Sequence, residues 1–529
     1  MARGDLPWSK AGKGEGYDTL VIGSGMGGMT AAAMLGQCGH RVLVLEQHFK
    51  PGGFTHTFKR PGYEWDVGVH AIGEVTQRSS LGRLLHRLTG GRLEWASLGE
   101  AYDEFYWPDG VRIDFPDSPQ KFRAALVEMF PDEVDAIDGY MAEVDDVAKS
   151  MRGFYLAKAL PSALRGLIDR SLNAEAQRHL ERNTADVVNA LTDDPRLRAI
   201  FTAQWGYYGS PPSRSSFAMQ ALVVRHYKHG AFYPVGGSSR IAVELLQTVA
   251  DAGGWTRVRA DVEEILIRRG KAVGVRLKGG EEIFAKRVIS AAGVQSTLAR
   301  LLPESEQKAE WTRGVQELRP APAHVCLHLG FKGDIRAAGA GSANKWFYQT
   351  WDTEACAWDV HPEREIPEAP CLYTSFPSLK DPTYDPGPEQ RHTGEVVTFV
   401  PWESFEPWLG TDWHKRGETY DAFKTRLEEA VLEQFLAKMP ELAPMVDYVE
   451  LSTPLTTDHF VRPRRGSIYG IEPTPERFRC EALRPVSPIK NLYFAGSEVT
   501  SVGVMGAMVG GMLAAVAVSP LKAMKLIRG

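Results

Sequence analysis

Short apolar runs cluster near the two ends of the chain and in one central stretch, with longer mixed patterns between them. Tyr17-Asp-Thr-Leu-Val-Ile-Gly23 is a brief apolar run ending in glycine, the pattern of a buried parallel strand. Met29–Gly39, rich in Ala, Met and Leu, predicts a helix, and Arg41-Val-Leu-Val-Leu45 predicts a second strand that stops at Glu46. Further strand-like runs fall at Ile265–Arg268, Val273–Leu277 and Val288–Ala292, with a hairpin at Lys278-Gly-Gly280. Lys490–Ala495 predicts one more strand. Stretches 75–232 and 300–452 carry longer helical patterns and Pro-rich loops such as Asp381–Gly387. Met1–Gly16 is polar and lacks the apolar stretch of a signal peptide, so a loose tail is expected there.

The longest apolar run, Val502–Val518, is short for a membrane span and is broken by Gly503, Gly506, Gly510 and Gly511. The Gly506/Gly510 spacing suits a membrane helix pair, but a buried helix with close backbone packing accounts for the run better.

The first strand–turn–helix carries the clearest chemistry. Gly23-Ser-Gly25-Met26-Gly27-Gly28 gives G-x-G-x-x-G between a strand and a helix. Gly23 permits the tight turn, Gly25 lets backbone approach a pyrophosphate, and Gly28 lets the helix pack on the strand. The helix N-terminus then offers unpaired N–H groups and a positive dipole end to phosphate. Glu46 follows at the spacing of a carboxylate that accepts from a ribose hydroxyl, with Gln47 beside it. An acid there argues against a 2′-phosphate, and so against NADP.

Two later features extend the cofactor beyond a simple dinucleotide. Pro51-Gly52-Gly53-Phe54-Thr55 offers a second close backbone approach. Near the C-terminus, Gly496-Ser-Glu498 ends a strand, and Gly503-Val504-Met505-Gly506 opens a helix. Glu498 suits ribityl hydroxyls, and the helix N-terminus suits negative charge on a reduced flavin. FAD is the expected cofactor.

These motifs are similar to the phytoene desaturase, carotenoid isomerase and retinol saturase group of FAD proteins, within the wider amine-oxidase-like flavoproteins. His226-Tyr227, Gly230-Ala-Phe-Tyr-Pro234 and Gly236-Gly237-Ser238 resemble that group's H-Y-x-x-G-x-x-Y-P-x-G-G segment. Val258–Gly270 with Lys271–Arg276 resembles its strands around the adenine, which implies a cofactor contact at Val262. Thr453–Thr456 through Arg465–Gly470 resembles its segment before the last motif, and Asp66-Val-Gly68-Val-His70 its retinol saturase and carotenoid isomerase side. Residues 303–452 show no such match.

The resemblance implies an α/β fold: a discontinuous Rossmann-type FAD-binding domain (17–74, 233–300 and 453–520) with an interleaved α+β substrate domain (75–232 and 301–452). Residues 1–16 and 521–529 would be tails. The implied activity is introducing, reducing or isomerising a carbon–carbon double bond in a long apolar lipid, isoprenoid or fatty-acyl, by hydride transfer at flavin N5. His70 and, more weakly, Tyr469 are the catalytic candidates. An amine-oxidase-type enzyme is the alternative on this fold, and a non-catalytic lipid escort a third reading, disfavoured because the cofactor glycines and acids are in place. With one dinucleotide fingerprint, the electron partner stays open among a quinone, oxygen, a redox protein and NAD(P)H.

Bulk properties narrow the setting. The 529 residues are 43% hydrophobic and 24% charged with net charge −5, so no basic field recruits nucleic acid. Cys38, Cys326, Cys356, Cys371 and Cys480 are scattered, so neither a zinc site nor a disulfide framework is expected, and the default setting is the cytoplasm. Leu156, Leu160, Leu164, Leu167 and Ile168, interleaved with Lys158, Arg165 and Arg170, have the pattern of a basic amphipathic helix. So does Leu521–Arg528. Both leave open a peripheral seat on the cytoplasmic membrane face.

Overall fold

The computed structural model describes residues 6–12, 14–159, 174–355 and 357–528. The apolar runs at the two ends and in the centre assemble into one six-stranded sheet. Its order is Trp8–Ser9, Trp255–Val258, Val42–Glu46, Thr19–Ile22, Arg287–Ser290 and Leu492–Phe494, and every pairing is parallel. Strands from three distant parts of the chain are neighbours, and the central ones, Thr19–Ile22 and Val42–Glu46, are buried at every position and need cover on both faces. Helices Met26–Gln37, Ser239–Asp251 and Gly503–Val518 provide one layer of it. Thr19–Ile22 lies where the strand order reverses, so the crevice for a ligand opens at its carboxyl end, at Gly23. A three-stranded antiparallel meander, Val262–Arg268, Lys271–Leu277 and Glu282–Phe284, packs beside this unit.

The glycine run near the C-terminus is a buried helix. A Cβ on Gly511 would fall 2.2 Å from the Gly27 carbonyl oxygen, and one on Gly510 would fall 2.1 Å from that of Gly496. The helix Gly503–Val518 therefore crosses Met26–Gln37 backbone to backbone. Among the described residues no helix is long and apolar enough to cross a membrane.

A seven-stranded sheet forms the other half. Its order is Val446–Ser452, Ala323–Lys332, Arg391–Val400, Cys371–Ser375, Asn344–Tyr348, Ala101–Tyr106 and Arg112–Pro116. It is antiparallel except where Asn344–Tyr348 runs beside Ala101–Tyr106. This corrects the helical expectation for 300–452: four strands of the sheet and a fifth at its edge come from that stretch. Ala323–Phe331 is buried at every position, so it lacks the alternation that marks a half-exposed strand, and periodicity alone does not separate such a run from a buried helix.

Three further expectations are revised. Trp8–Ser9 is not loose: it pairs with Trp255–Val258 as the sheet's outermost strand. Pro520–Arg528 is a helix, with Ala523 buried and Lys522 donating to the Cys38 carbonyl at 2.9 Å. Lys158 does not sit on a basic surface. It ends the long helix Val134–Ala159, buried, and its Nζ donates to the carbonyls of Leu483 and Val499 at 3.0 and 2.9 Å. The remainder of that amphipathic pattern, from Leu160 to Arg170, lies outside the described residues.

Candidate active site

A single cavity runs along the seam between the two sheets. One wall is built from the turns at the carboxyl ends of the parallel strands. Gly23 takes φ +92° at the turn, a left-handed conformation that favours glycine. A Cβ on Gly28 would meet the Gly23 carbonyl oxygen at 2.1 Å. The second loop is fastened to the first: the Gly52 N–H donates to Ser24 Oγ at 3.1 Å, and a Cβ on Gly53 would come within 3.0 Å of Gly25 Cα. Glu46 is buried. Its Oε2 accepts from the Ser24 amide (2.9 Å) and hydroxyl (2.5 Å), and its Oε1 accepts from the His48 amide (2.8 Å). A carboxylate has about four acceptor positions, so capacity remains for a ribose. At the far end, Glu498 Oε2 accepts from the amides of Val294 and Gln295 at 2.6 and 3.0 Å. Burial raises the Glu498 carboxyl, against the pull of those amides and Arg477. Arg300 and Arg462 also line the cavity, the latter paired with Asp261 at 2.9 Å.

The opposite wall is one face of the seven-stranded sheet. Registers place Trp346 beside Tyr373, Tyr373 beside Val397, and Asn344 beside Asp103, and directly paired residues share a face. Trp205, Tyr207, Trp346, Tyr373 and Phe399 make most of that wall aromatic. One corner is polar and buried. Lys380 Nζ donates to the His70 carbonyl (2.7 Å), to Ser375 Oγ (2.7 Å) and to Asn344 Oδ1. Asn344 Nδ2 and Tyr207 O–H donate to Asp103 at 2.9 and 2.7 Å. Tyr233 donates to Asp66 at 2.5 Å, as does Ser238. The segment His226–Ser238 thus buttresses Asp66–His70: His226 Nε2 accepts from the Gly73 amide at 2.7 Å, and Tyr233 and Ser238 hold the acid.

Burial dominates the electrostatics of this corner. It pushes Asp66 up to about 7, helped by the nearby Glu395, and Asp103 up to about 6. Glu395 rises to about 8 despite the attraction of Lys380. The same desolvation lowers Lys380 to about 7 and holds the His70 imidazole neutral, at about 3.

Among the expected site residues, Gly23, Gly25, Met26, Gly27, Glu46 and Gln47 line the cavity, as do Gly52, Gly53, Phe54, Thr55 and Val262. Gly496, Glu498, Gly503, Val504, His70 and Tyr469 line it as well. The Tyr469 O–H donates to the Gly206 carbonyl at 3.0 Å. Three residues do not reach the wall. Gly28 packs on Gly23, Gly506 packs on the Ser501 carbonyl, and Met505 is buried in the helical layer. Glu395, Lys380, Asp103 and Tyr207 were not foreseen. The alternation His324-x-Cys326-x-His328 was the available signal for this wall, since residues two apart in a strand share a face. Away from the cavity, Asp146, Glu175 and His179 come together, a grouping the sequence spacing does not reveal; His179 Nε2 lies 3.1 Å from Asp146.

Comparison with known proteins fits this geometry. The model of flavin containing amine oxidoreductases matches residues 26–519. The chain belongs to that family. This flavoprotein is 35% identical to the human all-trans-retinol 13,14-reductase over 527 residues, covering 95% of this chain and 86% of that protein. It is 27% identical over 510 residues to the prolycopene isomerase of Arabidopsis thaliana, covering 93% of this chain and 82% of that protein. The fold is shared with cyclohexylamine oxidase from Brevibacterium oxydans, with a TM-score of 0.59, 17% identity, and coverage of 97% and 99%. The residues present fit FAD. Gly25, Gly496 and Gly503 have open space where a side chain would stand, so bare backbone faces the cavity along the wall where a long cofactor needs close approach. The enzyme is an FAD-dependent oxidoreductase.

Proposed function

We propose that this enzyme reduces a carbon–carbon double bond of a long isoprenoid polyene. One observation carries the reading: the cavity sets a glycine wall suited to FAD against an aromatic wall suited to a hydrocarbon, with His70 in the lining and a buried polar cluster behind it. The relatives named for all-trans-retinol 13,14-reduction and prolycopene isomerisation support the substrate class. When bound, FAD supplies the hydride chemistry.

The chain's own groups do the rest. The helix beginning at Met26 would stabilise the phosphates, Glu46 a ribose, and Glu498 the ribityl chain. Trp205, Trp346, Tyr373 and Phe399 would hold the polyene in register and exclude water. His70 faces the same space. An amine-oxidase activity is less well supported, since the aromatic wall holds no carboxylate outside the buried corner to meet an ammonium ion.

The finer part of the proposal is how such a substrate arrives. The loop Leu409–Lys415 exposes Leu409 and Trp413 beside Lys415, a combination that suits a peripheral seat on an anionic bilayer. Loss of flotation with anionic liposomes in a Leu409→Ser/Trp413→Ser variant is expected; unchanged flotation overturns that seat.

The activity is tested anaerobically with the reduced holoenzyme. All-trans-retinol or prolycopene should restore the oxidised flavin spectrum and yield a product with one double bond fewer. Failure of every isoprenoid in a panel, or bleaching of the oxidised enzyme by an amine, overturns the reading.

A further inference from the structure

The corner behind His70 holds more ionisable groups than hydrocarbon binding requires. Asp66 enters from the end of the strand Tyr63–Asp66, Asp103 from Ala101–Tyr106, and Glu395 from Arg391–Val400. Lys380 follows Cys371–Ser375, His324 and Cys326 come from Ala323–Lys332, and Tyr233 from Phe232–Pro234. Most have assigned partners. Asp66 accepts from Tyr233 and Ser238, Asp103 from Tyr207 and Asn344, and Lys380 donates three times.

Glu395 and His70 are different. No well-aligned hydrogen bond reaches either oxygen of the buried Glu395 carboxyl, which has the Asp66 backbone amide nearby, and none reaches His70 Nδ1. Yet Glu395 Oε2 stands 3.0 Å from His70 Nδ1, at hydrogen-bond distance but turned out of alignment. Buried polar groups are nearly always paired. Two unpaired ones facing each other at contact distance are completed by a small ring rotation, and catalytic hydrogen bonds commonly align only when substrate is bound.

We propose that Glu395 is the proton source for the reduction, acting through His70. The inference rests on the function proposed above. Saturating a double bond adds a hydride, taken from the reduced flavin, to one carbon and a proton to the other. His70 gives the proton on Nε2 to the second carbon while its Nδ1 takes the proton of Glu395 Oε2. The histidine stays neutral throughout, and one carboxylate is formed. Lys380, already attracted to Glu395, stabilises that carboxylate until it regains a proton from water between turnovers. Two consequences of burial support the direction of transfer. Glu395, pushed up to about 8, carries a proton at neutral pH, and His70 is a neutral imidazole. An imidazole whose Nδ1 accepts from a carboxyl O–H carries its own proton on Nε2, and His70 lines the cavity while its Nδ1 is buried. Glu395 is thus a positioning residue and proton reservoir, and His70 the catalytic acid.

The test uses reduced holoenzyme with all-trans-retinol or prolycopene, and the oxidised holoenzyme for spectroscopy. In Glu395→Gln the flavin content should be unchanged, while anaerobic flavin reoxidation by the polyene slows about a hundredfold or more and loses its alkaline fall-off. Lys380→Met should move the wild-type inflection to higher pH, because a cation that favours the carboxylate is gone. Independently of turnover, nitrogen NMR of His70 should show the Nε2–H tautomer at neutral pH and a change to Nδ1–H as Glu395 ionises. That change should be absent in Glu395→Gln. A Glu395→Gln enzyme with wild-type reoxidation rate and pH profile overturns the proposal, as does a His70 tautomer indifferent to Glu395. If wild-type flavin is not reoxidised by any isoprenoid, the function fails instead, and the tautomer measurement still decides whether the two residues are coupled.

Discussion

The two walls of the cavity reach complementarity by opposite means. The cofactor wall works by omission: at Gly25, Gly27, Gly28, Gly496 and Gly503 a missing side chain lets backbone approach backbone or leaves space open. The sheet wall works by filling: Trp346 stacks on Phe105 with centroids 5.6 Å apart and meets Tyr373 edge-on at 4.6 Å, while the corner around Asp66 is packed with buried ionisable groups. A wall made by omission tolerates no addition, and a wall made by filling tolerates removal at a graded cost. Substitutions that reverse each rule separate the two.

The largest effect is expected from Gly28→Val. Its side chain would collide with the Gly23 carbonyl, so the turn cannot close. Protein purified from this variant should carry essentially no flavin, read from the ratio of visible to ultraviolet absorbance; normal flavin content would sink the account of that turn. Next is Trp346→Ala, which leaves a cavity within the filled wall. A loss of about 3 kcal/mol or more in denaturant unfolding is expected, with flavin retained and selectivity among polyenes relaxed.

A smaller effect comes from the buried acids. Asp66 and Glu395 hold protons in the folded state up to about pH 7 and 8, whereas in the unfolded chain carboxyls release them near pH 4. The folded form therefore binds more protons across that window, and its stability falls as pH rises through it, by at most about 1.4 kcal/mol per pH unit for each group. Lys380 acts in the opposite sense above about pH 7, because there the unfolded chain binds the extra proton. From these groups Tm should thus drop between about pH 5 and 7, level off to about pH 8, where Glu395 and Lys380 oppose each other, and recover above it. In Glu395→Gln the drop should be shallower, and an unchanged slope would show that Glu395 is not protonated in the fold. The smallest change is expected for Lys522→Met, which removes one half-exposed contact to the Cys38 carbonyl. A shift within about 0.5 kcal/mol is expected in the same unfolding measurement.

The same contrast governs what was legible in the sequence. Omission leaves a local signature: glycines at fixed offsets between a strand and a helix, as at Gly23–Gly28, can be read without knowing the fold. The acids that close the cofactor wall were found by their own local context: Glu46 ends the strand after the glycine turn and its helix, and Glu498 follows Gly496 by two residues. The filled wall has no such signature. Glu395, Lys380 and Asp103 become neighbours only through the pairing of strands from distant segments, and each looks in isolation like any polar residue in a mixed run. His70 was found because it lies in the Asp66–His70 motif, but the carboxyl facing it was not. Lys158 shows the converse failure. Its helical spacing among leucines suggested an exposed basic face, whereas the long helix ends against Leu483 and Val499, whose carbonyls take up the ammonium group.

The crossing of Met26–Gln37 by Gly503–Val518 also sets an order of events during synthesis. The first phosphate-binding turn is made long before the backbone it packs against, Gly496 and the helix beyond it. The cradle for the cofactor is therefore incomplete until that helix has been made, and its closure draws together segments far apart in the sequence, a slow kind of contact. A complete flavin cradle accordingly waits on the helix Gly503–Val518.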